Sequence, residues 1–269
     1  MLTKDSAICI RAVDYSETSQ IVTFFAKATG KFTAIAKGSK RPKSAFDGPI
    51  EIFSLGRIVF SDSSREKLAT LTEFQQEHTL TGLSKNLFAL NCALFAIELL
   101  NSLTDDYDPH PQLFDSLLQF LQNINDWSLP RAESRGEPGG DLPAVAGYAK
   151  AERRATVSLL ILFQLVLLKE VGLMPILNYC VNCKTTFSSK WPQVYFSSAA
   201  NGLVCRDCEA NFPDKIKVNN LAAKCLADLK LLAEADEKTI TQIEKILISH
   251  FTETLGHRPK LAKHILDGL

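Results

Sequence analysis

Along the first eighty residues the apolar positions recur with a period of two. Ile8, Ile10 and Ala12 alternate with Cys9 and Arg11, the mark of a half-buried strand. Ile21–Ala26 is β-branched and aromatic, Thr29 and Gly30 punctuate it, and Lys31–Lys37 alternates again. A polar loop follows from Gly38 to Asp47, and Ile50–Phe60 and Lys67–Phe74 predict two further strands around the turn cluster Ser61–Ser64. Five short strands in so little chain suit a small closed barrel, and the five-stranded OB-fold is one such solution that commonly binds oligonucleotides.

The period then changes. Leu83, Leu87, Leu90, Leu94, Ile97 and Leu100 fall at three- and four-residue spacing, which predicts an amphipathic helix. A second helix is expected from about Pro109 through Leu113, Leu117 and Phe120 to Ile124, with proline near its opening. Between Asn125 and Lys150 the chain is rich in proline and glycine, as in a flexible linker or insertion. Helix is expected again from near Ala151 to just before Pro175, and Leu221–Ala235 and Asp236–Leu255 read as two closing helices. The pattern is therefore α+β: a barrel domain over residues 1–80, then a helical domain over 81–269 with the insertion at about 125–150.

Composition narrows the class. The hydrophobic fraction of 46% and the charged fraction of 22% are those of a packed soluble protein, which excludes a wholly disordered or collagen-like chain. The start lacks a basic region followed by a long apolar run, and the longest uncharged apolar stretch, Ala155–Leu168, is too short for a bilayer span. The reading is a cytoplasmic protein, where thiols stay reduced.

That compartment gives the cysteines their meaning. Cys180-Val181-Asn182-Cys183 and Cys205-Arg206-Asp207-Cys208 are two CxxC pairs with 21 residues between them. Each pair can present two thiolates to one ion, and four ligands complete the tetrahedron of a closed structural zinc site, Zn2+ being the cofactor expected. Asn201-Gly202 predicts the turn that returns the second pair to the first. A zinc deaminase would need His-x-Glu beside its cysteines, and none of the five histidines has glutamate two residues on. Cys9, Cys92 and Cys225 sit among apolar residues and read as small core hydrophobes.

Thirty basic and thirty acidic residues cancel over the whole chain, but not locally. Residues 1–43 hold eight basic and three acidic side chains, so a polyanion is drawn to the barrel end. The densest run is Lys37-Gly38-Ser39-Lys40-Arg41-Pro42-Lys43; with Arg11 and Lys31 on neighbouring strands it outlines a groove for a nucleic-acid strand. The same run also suits a solvated loop that aids solubility. Phe32 and Phe46 flank it and fit barrel core positions better than base-stacking ones. No phosphate-binding loop, dinucleotide fingerprint or nucleophile elbow is present in the sequence, so no catalytic residues are assigned.

Several runs together resemble one family. Val13-Asp14-Tyr15-Ser16-Glu17-Thr18 before an apolar strand, Gly30-Lys31, and Ala36 through the basic run to Ser44 resemble the N-terminal signature of bacterial RecO DNA repair proteins. Tyr195-Phe196-Ser197, Gly202-Leu203-Val204-Cys205 and the closing Leu255-Gly256-His257-Arg258-Pro259-Lys260 are similar to that family as well, in the family's order. The resemblance implies an N-terminal OB-fold, a helical domain and a four-cysteine zinc site. It implies a recombination mediator that binds single- and double-stranded DNA, anneals complementary strands, and works with RecR to load RecA onto strands covered by single-stranded-DNA-binding protein (SSB). It further implies contact with the SSB C-terminal tail through the helical domain, and RecF is a further partner to consider. The family's DNA-binding positions fall on Lys31, Lys37, Lys40, Arg41 and Lys43, to which strand geometry adds Arg11. The stretch from Asn125 to Lys150 is longer than the family's usual link, and Arg153 and Arg154 after it read as the solvated start of a helix or as partners for a tail carboxylate. The alternative reading is a zinc-stabilised module that grips protein or RNA and does not anneal DNA.

Overall fold

The computed structural model describes residues 2–41, 44–46, 48–61, 68–78, 80–128 and 142–267. The first strands are β1 (Leu2–Asp14), β2 (Gln20–Ala26), β3 (Gly30–Ala36), β4 (Leu55–Ser61) and β5 (Ala69–His78). They close a barrel in the order β1-β2-β3-β5-β4, antiparallel throughout except that β3 and β5 run parallel. The OB-fold expectation holds. Its interior is filled from alternate positions on β2 (Val22, Phe24 and Ala26), β3 (Phe32, Ala34 and Ala36) and β4 (Ile58 and Phe60), and on β5 from Leu71 and Phe74, between which the register shifts. Phe32 stacks on Phe60 with ring centroids 4.3 Å apart.

One detail of the alternation differs from the sequence reading. A bulge lies between Cys9 and Arg11, so Ala7 and Cys9 face inward before it and Ala12 faces inward after it. An extra residue in one strand reverses the parity of everything beyond it. Ile8 and Ile10 are buried as well, on the other face. Ile50–Ser54 is not strand; it carries Phe53 at positive φ and leads into β4.

The helices are α1 (Leu87–Leu103), α2 (Pro111–Trp127), α3 (Leu142–Glu170), α4 (Asn220–Ala227), α5 (Glu237–Leu255) and α6 (Ala262–Leu266). Helix α3 starts nine residues before the expected Ala151, so Arg153 and Arg154 lie well inside it and not at its start. Half of the insertion, residues 129–141, lies outside the described residues. The first of the two expected closing helices is broken at Asp228, which ends α4 and caps a short 3-10 turn, Leu229–Ala233. Asp236 caps α5 by accepting from the Thr239 amide.

The chain divides into two compact units that are not continuous in sequence. The first joins residues 1–85 to 103–126, so α2 belongs with the barrel. Phe114 of α2 meets Phe25 on the barrel's outer face, and Lys27 pairs with Asp115 at 2.7 Å. The second unit, residues 86–102 and 127–269, contains α1, α3–α6 and a small sheet of β6 (Val194–Ser197), β7 (Gly202–Cys205) and β8 (Ile216–Val218) in the order β7-β6-β8. No helix among the described residues is long and apolar enough to cross a membrane.

Candidate metal centre and nucleic-acid interface

In the second unit the cysteine pairs come together as their spacing predicts. β6 and β7 form a hairpin through Ser198–Asn201, with Asn201 at positive φ, and Gly202 opens β7. A side chain on Gly202 would place its Cβ 2.5 Å from the Ile176 carbonyl, so glycine is what lets the segment before the first CxxC lie against the hairpin. The amide of Val181 then donates to the Leu203 carbonyl, fixing the Cys180–Cys183 turn beside the end of β7. The four Sγ atoms all lie within 4.8 Å of one another, and those of Cys183 and Cys205 are 3.7 Å apart. Four thiolates at about 2.3 Å from one tetrahedral ion would be separated by about 3.8 Å, so the residues fit such an ion.

The four sulfurs have unlike surroundings. The Cys205 amide donates to the Cys180 sulfur and the Asn182 side-chain amide donates to that of Cys208, each replacing water that a buried anion would lack. Thr185, 3.2 Å from the exposed Cys183 sulfur, lowers that thiol's pKa to about 6, whereas burial pushes Cys205 up to about 12. A bound cation would remove the second proton, since metal ligation deprotonates a thiol outright. The other three cysteines are core residues as expected; burial, only partly offset by the hydrogen bond to the Arg11 backbone, pushes Cys9 up to about 12.

The basic residues sort differently. Lys37 and Arg41 are exposed, and Arg41 closes a tight turn by donating its amide to the Gly38 carbonyl. Lys40 is held by Asp14 at 2.6 Å. Arg11 is exposed on the barrel's outer face, across from Thr23. Lys43 lies outside the described residues. Lys31 leaves the group: it is 8% exposed, donates to the Thr104 carbonyl at 2.6 Å and lies 3.6 Å from Asp106. Its strand position faces outward, but the segment between α1 and α2 covers it, and the backbone of Asp108 approaches Gly30 too closely for any side chain there. Phe32 and Phe46 are buried in the barrel and cannot stack on bases.

Sequence reasoning overlooked the residue that shapes the loop. Gln20 is 5% exposed, and its amide is used at both ends. Its Oε1 accepts from the Ser39 hydroxyl at 2.9 Å and from the Ile50 amide at 2.9 Å, while its Nε2 donates to the Ile50 carbonyl at 3.1 Å. One buried side chain thus ties both arms of the basic loop to the start of β2. The Ser19 hydroxyl accepts from the Gly38 amide and the Thr18 carbonyl from the Lys40 amide, which fastens the β1–β2 turn to the same loop. A glutamine just before an apolar strand reads as loop in a sequence; only inward parity, shared with Val22 and Phe24, would have marked it.

The family described as Recombination protein O N terminal matches residues 1–79, and that described as Recombination protein O C terminal matches 84–134 and 149–263. The chain belongs to the RecO family. Among relatives named DNA repair protein RecO, the Bacillus pumilus protein is 28% identical over 263 residues, 95% of this chain and 90% of that one. The Bacillus subtilis protein is 27% identical over 274 residues, 99% and 94% of the two chains. That of Rhodopirellula baltica is 29% identical over 234 residues, 87% and 77%. Residues 135–148, which the RecO family leaves unmatched, fall inside the Pro/Gly-rich stretch read as an insertion.

Proposed function

We propose that this chain is a DNA repair and homologous-recombination mediator that binds single- and double-stranded DNA on its barrel and speeds the pairing of complementary strands. The observation that carries the proposal is the exposed pair Lys37 and Arg41, on a loop that the buried Gln20 holds beside the open flank of β1–β3. OB-folds bind oligonucleotides on the β2–β3 flank and its adjoining loops. Cations there neutralise phosphates without reading bases, so two strands held on one surface repel each other less and pair faster. Arg11 extends the cationic surface, Lys40 joins it by exchanging Asp14 for a phosphate, and Lys43 is assigned to DNA binding from its place in the basic run of the sequence. No bond is made or broken, and no side chain acts as a catalyst.

The four cysteines hold one structural zinc ion in this reading, since thiolates in a tetrahedral set with no open position suit zinc. Cys180, Cys183, Cys205 and Cys208 would hold such an ion, which would tie the first CxxC turn to the second as a structural cross-link. Family membership supports the further roles: loading of RecA with RecR onto strands coated by SSB, with the helical unit receiving the SSB tail and RecF a further partner.

The test is anisotropy of a labelled single strand over a salt series, with an annealing assay on complementary strands. Wild type is expected to bind without sequence preference and with a steep salt dependence. Removing two phosphate contacts by Lys37→Ala and Arg41→Ala together is expected to flatten the log–log slope by about 1.4 and slow annealing. Binding that survives the double variant with an unchanged slope would put the DNA elsewhere. Binding seen only with a protein partner, or only with RNA, would replace the mediator by an interaction module.

A further inference from the structure

Of the aromatic residues in the barrel strands and their connecting loops, the seven phenylalanines are all buried and Tyr15 alone is exposed, at 63%. It stands in the turn between β1 and β2, and its amide donates to the Ser19 carbonyl at 2.9 Å. The same turn is fastened to the basic loop through Thr18 and Ser19. The position of Tyr15 is therefore fixed by backbone bonds, while its phenol makes no hydrogen bond among the described residues.

The flank below Tyr15 is apolar. Val13 pairs with Ile21 and Ile21 with Ile35, so three aliphatic side chains cross three strands in one row on the outer face. Val13 is 44% exposed and the two isoleucines are half-buried. The next row, Arg11–Thr23–Thr33, carries the exposed guanidinium. Lys37 continues the outward parity of Thr33 and Ile35 at the other end. An aromatic ring and an apolar row thus lie between cations. A folded surface left to water alone would not favour this grouping, but a strand with charged phosphates and flat bases matches it in both charge and polarity. One acid on the turn opposes the match: Glu17 is exposed, whereas Asp14 is taken by Lys40.

We infer that Tyr15 is a base-stacking residue for single-stranded nucleic acid, its ring holding one base against the Val13–Ile21–Ile35 row while Arg11 and Lys37 take the flanking phosphates. The inference rests on the proposed function and deepens it, because phosphate contacts alone would not distinguish a single strand from a duplex. Stacking requires an unpaired face. The ring therefore biases the surface toward unpaired strands and releases the base once a complementary strand captures it.

The experiment compares wild type, Tyr15→Ala and Tyr15→Phe, each as the full chain, on a labelled oligothymidylate and on an abasic strand of the same length. Loss of a base–aromatic contact weakens binding by at least ~fivefold. Tyr15→Ala is expected to lose that factor on oligothymidylate with an unchanged salt slope, to lose nothing on the abasic strand, and to recover with Tyr15→Phe. Thermal melting keeps folding in view, and the exposed ring predicts an unchanged midpoint. Equal binding by Tyr15→Ala, or an equal loss on the abasic strand, overturns the stacking role while the phosphate surface stands. Absence of binding by wild type to either strand overturns the proposed function itself. A photo-crosslink from 5-iodouracil to Tyr15 would support the contact directly, and a crosslink confined to other residues would overturn it.

Discussion

The cysteine cluster and the basic loop answered the same question in opposite ways. All four cysteines meet within 4.8 Å, as their spacing requires, whereas the six cations proposed for DNA divide into exposed, paired, buried and undescribed residues. The difference is one of tolerance. Four thiolates on one ion allow only short turns and a returning hairpin, so a spacing that permits the site nearly specifies it. A lysine side chain accepts any partner within reach of a long flexible stem, and its spacing says little about what it will find.

The largest expected effect tests the rigid half of that contrast. Cys183→Ser should release the zinc ion proposed there, measured by elemental analysis, and lower the melting midpoint of the helical unit by at least ~10 °C, because metal binding at such a site is folding free energy. Single-strand binding by the barrel should largely survive. An equal loss of DNA affinity in a folded variant would show that the cysteine segment itself touches DNA and would merge the two regions.

The adaptable half is sharpened by Lys31. Lys31→Met removes its bond to the Thr104 carbonyl and is expected to cost about 1–3 kcal/mol in stability, read by denaturant unfolding. The salt slope of DNA binding should stay as in wild type. A slope reduced by about 0.7 would return Lys31 to the DNA surface.

The helical unit has a pH response that the barrel should lack. Glu244 is fully buried; burial raises its pKa to about 7, and the Gln164 amide, donating at 2.8 Å, only partly offsets this. Burial, and after it the charge of Glu244, push the thiol of Cys92 on α1 well up. The folded state therefore binds a proton that the unfolded chain releases at its ordinary value near 4.5. Stability is fully present below that value and is lost as pH rises through about 7, a change on the order of 3 kcal/mol. Glu244→Gln should remove this fall with pH and leave the opposite, rising dependence of buried His250, measured as unfolding midpoints between acid and mildly alkaline buffer. A fall that persists in the variant would assign the proton to another group.

The smallest effect concerns Lys40. Asp14→Asn frees it without adding a charge, and single-strand affinity at low salt should rise by about two- to threefold, on the scale of an exposed ion pair. No change would mean that Lys40 already leaves Asp14 when DNA arrives.

Legibility followed the same physical line through the fold. Period-two alternation and the glycine turns placed all five strands, although the bulge at Cys9–Arg11 concealed the inward face of β1. A bulge needs only backbone, and no residue type announces it. The helical period located α1 and α2, but nothing local says that α2 packs on the barrel while α1 belongs to the other unit. Phe114 and Asp115 reveal that placement only through Phe25 and Lys27, nearly ninety residues earlier.

By itself the sequence determined a barrel followed by helices, a cluster of four cysteines and an excess of cations at one end, because each is written in spacings of a few residues or in local composition. The tertiary structure decided which cations stay free. Lys31 meets a carbonyl 73 residues away, Gln20 clamps Ile50 from thirty residues away, and Tyr15 keeps its ring in water. Such commitments depend on which distant backbone groups are left without partners when the chain closes, and a buried polar group takes the partner that closure brings within reach.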